Sequence, residues 1–235
     1  MNTLVLLAHD QDGNASQVNF CVRRLLLAGF TGRNQKVAMK HVEELRAHGV
    51  VAPKKIPSFY ALPNHLVATA AELEVFGTQT SGEVEPVLLF QNRQIYLGVG
   101  SDHTDREVEK ASIAKSKVMC PKILAPEVWN YDEVQARWDK LLLRSWIGEG
   151  KKRSLYQRAP LGVFMPAQKL IRMAQNYVRD RNLEGMVLFL GTVPILGSGF
   201  GFSPTFSGEL ADSARQRKLS FSYRVRVVDW LKGEF

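Results

Sequence analysis

Glu83, Glu85 and Asp102 are the residues whose types and spacing point to chemistry. Between them runs Val84 to Ser101, an apolar stretch broken once at Gln91-Asn92-Arg93-Gln94. If Asn92-Arg93 is a two-residue hairpin turn, Gln91 pairs with Gln94, Glu85 with Gly100 and Glu83 with Asp102. Opposed residues share a face with Cβ atoms about 4.5–5.5 Å apart. Glu83 and Glu85 share it already, being two apart on a strand. One face then carries three carboxylates, with Gly98 and Gly100 beside them. A register slip of one residue would destroy the arrangement. Arg93 is not the glycine that a tight primed turn favours, so a longer loop is the alternative. Carboxylates this close raise one another's pKa unless a cation neutralises them. Oxygen-only ligands suit a hard ion, Mg²⁺, Mn²⁺ or Ca²⁺, rather than zinc. The other reading of the same spacing is a solvated polar face without metal.

A second pair is His41 and Glu44, three apart in a segment with helical periodicity, so their side chains are neighbours. Both lie to one side of the Ala38/Val42/Leu45 stripe, at the rim of the buried face. A rim position suits a general base oriented by a carboxylate. It also suits an ordinary surface contact.

The elements that position these groups read as follows. Met1 to Asp10 lacks a basic leader and is expected to be a strand rather than a secretory signal. Residues 35–49 are expected to be a helix ended by Gly49, with Val50 completing its stripe. Residues 83–101 are the hairpin. Residues 131–147 are expected to be a helix capped by Asn130, with Val134, Trp138, Leu141 and Leu142 inward. Residues 166–180 make another, with Pro166 in its first turn. Leu188–Leu190 reads as a short buried strand, and 197–201 as a flexible turn. Phe221, Tyr223, Val225 and Val227 alternate with Ser220, Ser222, Arg224 and Arg226, the pattern of a half-buried strand. This mixture gives an α+β protein dominated by its sheet.

Of 235 residues, 45% are hydrophobic and 23% charged, which excludes a disordered chain. No apolar run reaches the roughly 18 residues of a membrane span. Cys21 and Cys120 are far apart and form no ligand spacing, so reduced thiols and a cytoplasmic setting are expected. The net charge is +8. Its clusters (Lys151-Lys152-Arg153, Arg215-Gln216-Arg217-Lys218, and Arg224 with Arg226) are small and not interleaved with aromatics. A field steering small anions is therefore expected, not a nucleic-acid or membrane partner.

The residues also resemble a family. Asp102-His103-Thr104-Asp105-Arg106-Glu107 is similar to the Asp-x-Thr-x-Arg-Asp signature of the fumarylacetoacetate hydrolase superfamily, whose Glu-x-Glu pair matches Glu83 and Glu85. Gly32-Arg33-Asn34 with His41-Val42-Glu43-Glu44, and Gly191-Thr192-Val193-Pro194, resemble two further motifs in the same order. Ser116-Lys117 and Cys120-Pro121-Lys122 look like a bacterial subgroup of unknown function. The chain departs from the pattern in three places. His41 is further from Asn34 than usual, Glu85 to Asp102 is a short connection, and Tyr60-Ala61-Leu62-Pro63 stands where a Lys-Pro is common.

The resemblance implies a mixed β-roll with a few peripheral helices. Residues 1–235 would form one domain, 1–60 carrying His41/Glu44 and 61–235 forming the roll core. It implies a homodimer, and Mg²⁺ or Mn²⁺ held by Glu83, Glu85 and Asp102. The substrate class would be a small anionic 2-oxo or β-dicarbonyl acid of the acylpyruvate type. Its C–C bond would be cleaved by water that the His41–Glu44 dyad activates, while the cation, as Lewis acid, stabilises the leaving enolate. Decarboxylation, tautomerisation or dehydration are the alternatives on the same site, and a non-catalytic anion- or nucleic-acid-binding relative is the alternative to an enzyme. By position, Lys117 resembles the substrate-side lysine, with Lys115 the neighbouring candidate. Thr192, Gln157 and Arg106 would lie on the substrate side.

Overall fold

The computed structural model describes residues 2–47, 53 and 55–230. Among the described residues a two-stranded sheet, Thr80–Ser81 with Thr104–Asp105, accompanies two large ones. The larger has ten strands, eight of them in the order Ala15–Val22, Asn2–His9, Glu127–Asn130, Gln94–Asp102, Val84–Gln91, Met186–Phe189, Arg24–Gly29, Ser58–Leu62. Lys122–Leu124 joins off this path, pairing with both Gln94–Asp102 and Val67–Ala68. The smaller sheet runs Ser154–Pro160, Leu142–Ile147, Thr205–Asp212, Arg217–Val227, Glu72–Val75.

The hairpin Val84–Gln91/Gln94–Asp102 lies at the centre of the larger sheet, and both its faces are covered. Leu88, Leu97 and Val99 pack in one core with Leu143, Phe206, Leu219 and Phe221 of the smaller sheet. Val87 and Leu89 pack in a second core with Leu4, Phe20, Leu25, Val187 and Phe189, where the larger sheet curls back on itself. That double burial is why Val84 to Phe90 is continuously buried instead of alternating. The result is a sheet-dominated α+β roll with few helices.

The two-residue turn holds. Gln91 pairs with Gln94 and Glu85 with Gly100. Asn92 and Arg93 have φ of 53° and 63°, so Arg93 takes the left-handed position that glycine would occupy more cheaply. The strands expected over Met1 to Asp10 and Leu188–Leu190 are present as Asn2–His9 and Met186–Phe189. Along Arg217–Val227, Leu219, Phe221 and Tyr223 are buried between exposed Ser220, Ser222 and Arg224. The helix expected over 166–180 spans Ala167–Tyr177, with Pro166 just before it.

The helix expected over 131–147 is corrected. Asn130 does cap a helical turn, accepting from the Asp132 N–H at 3.0 Å. The α-helix ends at Val134 and a 3₁₀ stretch carries Gln135–Lys140. Leu142–Ile147 is then a strand paired on both sides. Its short apolar run fits either period, and the two waiting strand edges decide it. The first helix spans Gln35–Ala47, with Val42 buried. Gly49 and Val50 lie outside the described residues, as do the side chains of His41, Glu44 and Leu45.

Candidate metal centre

The hairpin brings the three acidic side chains together. Oxygen atoms of Glu83, Glu85 and Asp102 lie within 4.8 Å of one another. Glu83 stands just before the strand, tied to its neighbour by the Asp102 N–H to Glu83 carbonyl bond of 3.0 Å. Asp102 and Glu85 are buried, whereas the Glu83 side chain is 18% exposed and marks the open side of the cluster. The room left by Gly100 is used by the protein itself. A Cβ there would meet the Ile123 carbonyl at 2.7 Å and the Phe189 ring at 3.0 Å.

Each carboxylate has a different environment. Asp102 takes two buried ammonium groups, Lys117 on Oδ2 and Lys122 on Oδ1 at 2.9 Å. Burial opposes its ionisation, but the two lysines outweigh burial and hold its pKa down at about 2. Glu83 pairs with Arg106 at 2.9 Å, and Lys117 Nζ stands 3.6 Å from its other oxygen. Glu85 accepts the Gly191 N–H at 2.8 Å and has no ion-pair partner among the described residues. Burial, then the Asp102 charge, push its pKa well above the usual carboxylate range. The Lys117 charge offsets this only in part, and a buried carboxylate with no cation in direct contact is what a metal ion would satisfy. Oxygens around an octahedral ion at about 2.1 Å stand roughly 3–4.2 Å apart. The observed span is of that order, so the donor set fits a hard cation.

Supporting groups arrive from four segments. Arg106 is itself buried. Its guanidinium donates to Ser81 Oγ at 2.8 Å, pairs with Glu109 at 2.8 Å, and lies 4.2 Å from the Phe200 ring centre. Lys117 is buried on the short helix Ile113–Val118, and the surrounding carboxylates outweigh its desolvation to keep it charged; Lys115 is exposed. Thr192 Oγ1 donates to the Val84 carbonyl at 2.8 Å, between the two glutamates. Gln157 stands behind Thr192 with its amide committed to Val84 N, Ser145 Oγ, Thr192 Oγ1 and the Val193 carbonyl. Gly191 has a φ of 96°, and a Cβ there would lie 2.4 Å from Thr31 Oγ1, so this turn requires glycine.

Sequence reasoning missed two charged groups. Lys122 is fully buried opposite Asp102 in the strand register, and its Nζ also donates to the His103 carbonyl at 2.5 Å. Its signal was a lysine opening an otherwise apolar strand. Glu109 clamps Arg106 from one helical turn away, a spacing visible in the sequence. His103, next to Asp102, points elsewhere, between Tyr223 Oη at 2.8 Å and Thr80 Oγ1 at 2.9 Å. Burial, reinforced by Lys122 and Arg106, depresses its pKa to about 3, so it is neutral.

Residues 28–223 match the family described as "Protein of unknown function (DUF2848)". The chain belongs to that family. No curated protein matches it in sequence. Among solved structures, it is similar to 2-keto-3-deoxyarabinonate dehydratase (TM-score 0.64, 14% identity, covering 92% of this chain and 77% of that one). It is also similar to Cg1458 with inhibitor (TM-score 0.62, 15% identity, 92% and 80%). A third likeness is to 4-oxalocrotonate decarboxylase from Pseudomonas putida G7 complexed with magnesium and adipate (TM-score 0.53, 12% identity, 86% and 77%). At these identities the likeness concerns the fold, and it agrees with the β-roll that the resemblance implied.

Proposed function

We propose that this protein is a divalent-metal-dependent enzyme acting on a small 2-oxo or β-dicarbonyl acid, with hydrolytic C–C cleavage of an acylpyruvate-type acid as its reaction. One observation carries the reading: Glu83, Glu85 and Asp102 converge, and Glu85 is buried with no cationic side chain in direct contact among the described residues. These three would hold Mg²⁺ or Mn²⁺. When bound, the cation supplies Lewis acidity that draws negative charge onto the 2-oxo oxygen of the substrate.

The protein's own groups have separate tasks in this reading. Arg106 fixes Glu83, and the Gly191 N–H fixes Glu85. Lys117 directs positive charge to the rim, where the acid group of the substrate would lie, and the Thr192 hydroxyl, once turned from the Val84 carbonyl, would donate to that group. Gln157 holds Thr192 in place. His41, with Glu44 as its proposed partner, would take the proton from the attacking water.

Dehydration or decarboxylation is the second reading. It is favoured by the fold's likeness to a dehydratase and a decarboxylase, and neither reaction needs hydrolytic water. The exposed basic residues do not favour a nucleic-acid partner, since Arg224 pairs with Glu149 at 3.3 Å and Arg226 with Glu74 at 2.7 Å. Among the described residues no helix is long and apolar enough to cross a membrane. The unpaired thiols Cys21 and Cys120 are in line with a cytoplasmic setting, and the homodimer completes the proposal.

The test is turnover of a chromophoric acylpyruvate with and without Mg²⁺, followed by loss of its enol absorbance, with products identified. Release of pyruvate and the free acid supports hydrolysis. Carbon dioxide or a dehydrated acid as product supports the second reading. Turnover unaffected by a chelator would overturn the metal assignment.

A further inference from the structure

The segment following Thr192 has features that holding the cluster does not require. Ile195 to Ser203 reads Ile-Leu-Gly-Ser-Gly-Phe-Gly-Phe-Ser, without a charged side chain. It leaves Leu196 51%, Phe200 48% and Phe202 48% exposed. The chain is nevertheless pinned where it starts and ends. Leu196 N donates to the Tyr156 carbonyl at 2.7 Å, and Gly201 N donates to Tyr156 Oη at 3.1 Å. Ser203 Oγ then takes the Gly148 N–H at 3.1 Å. Between these anchors Gly197 and Gly199 turn the chain at positive φ.

The pinned loop borders the carboxylate cluster at two points. Upstream, Thr192 touches the Val84 carbonyl between Glu83 and Glu85. Downstream, the Phe200 ring lies 4.2 Å from the Arg106 guanidinium, which holds Glu83. Glu83 is the most exposed of the three carboxylates, so the aromatic ring stands beside the opening. A hydroxylated ligand would find little to bond here, because Ser198 and Ser203 are the segment's only polar side chains and Ser203 is engaged. An apolar group would cover surface that now faces water.

We infer that Phe200, carried by this apolar segment, forms the specificity wall of this site, and that the substrate is a 2-oxo acid with an apolar distal substituent, alkyl or aryl. The inference rests on the proposed metal site, since it takes the cluster as the place where the acid end binds. Phe200 is the residue in contact with a group that touches a carboxylate.

The experiment titrates oxamate and N-hexyloxamate calorimetrically into the Mg²⁺-loaded protein. The two probes share the acid end and differ in the tail. Each buried methylene is worth up to about fourfold in affinity. The tail should therefore improve wild-type binding by about tenfold or more. Phe200→Ala should lose most of that gain, read as the ratio of the two affinities measured in the same variant. Phe200→Leu should keep most of the gain, which separates an apolar wall from a general disturbance of the loop; melting curves check that both variants are folded. Equal wild-type affinity for the two probes, or an undiminished gain in Phe200→Ala, overturns the wall and leaves the metal site standing. Failure of oxamate to bind the Mg²⁺-loaded protein overturns the site reading, and the wall with it.

Discussion

Asp102→Asn tests the electrostatic architecture of the cluster without any assumption about substrate. The wild-type carboxylate receives Lys117 on one oxygen and Lys122 on the other, with side-chain exposures of 1%, 9% and 0% for the three residues. The amide keeps one acceptor and turns an N–H₂ toward the second ammonium, so one buried cation is left facing a donor. Removing one partner of a buried ion pair costs about 3–5 kcal/mol. Glu83 Oε2, 3.6 Å from Lys117 Nζ, can take part of the load, which places the expected cost near about 3 kcal/mol. For a chain of this size that corresponds to a Tm lower by roughly 6–12 °C. Urea and thermal unfolding in EDTA measure it. Because Lys122 is the more deeply buried ammonium, Asp102→Asn/Lys122→Met should recover about half of the loss.

The pH dependence has a definite sign. Asp102 titrates near 2 in the fold against an ordinary value of 3.8, so its stabilisation is present above about pH 4 and disappears as pH falls toward 2. The gap between wild type and Asp102→Asn should close over that window. A loss below about 1 kcal/mol at pH 7, or a double variant no more stable than the single one, would refute the charge-pair reasoning.

Three further outcomes are expected. Glu85→Gln keeps an acceptor for the Gly191 N–H and removes a carboxylate whose raised pKa opposes folding increasingly as pH rises above 4.5. Metal-free Glu85→Gln should therefore melt at or above wild type at neutral pH yet lose the Mg²⁺-induced stabilisation, about 2.7 kcal/mol at a hundred times Kd; differential scanning fluorimetry with and without MgCl₂ reads both. His41→Ala should lower kcat by about 10²–10⁴ and leave Mn²⁺ affinity unchanged. Glu44→Gln should behave alike, with the double variant little worse, and normal turnover in His41→Ala would move the chemistry to decarboxylation, tautomerisation or dehydration. Single-stranded and duplex DNA should bind with micromolar or weaker affinity at physiological salt, and a nanomolar, steeply salt-dependent complex by filter binding would reverse that expectation.

The carboxylate face was legible because a strand's period of two is a local property. Once Asn92-Arg93 is the turn, the backbone places Glu85 opposite Gly100 and Glu83 beside Asp102 whatever surrounds them. The alternating Leu219, Phe221 and Tyr223 were legible for the same reason. Leu142–Ile147 was not, because a short apolar run satisfies both periods until strands on either side offer hydrogen bonds. Nor was the choice of lysine. Lys115 and Lys117 are equivalent in composition and two residues apart, and only packing of Ile113–Val118 against the sheet buries one and exposes the other.

The sequence by itself determined which acids share a face, where the chain turns, and that the sheet would dominate. The tertiary structure alone decided that Lys122 lies against Asp102, that Arg106 locks Glu83, and that Glu85 is buried without a direct ion-pair partner among the described residues. Local order follows from backbone geometry repeated every two or four residues. Charge balance follows from desolvation and from contacts between residues far apart in the chain, 106 at Glu85 and Gly191, and those exist only once the whole roll has closed.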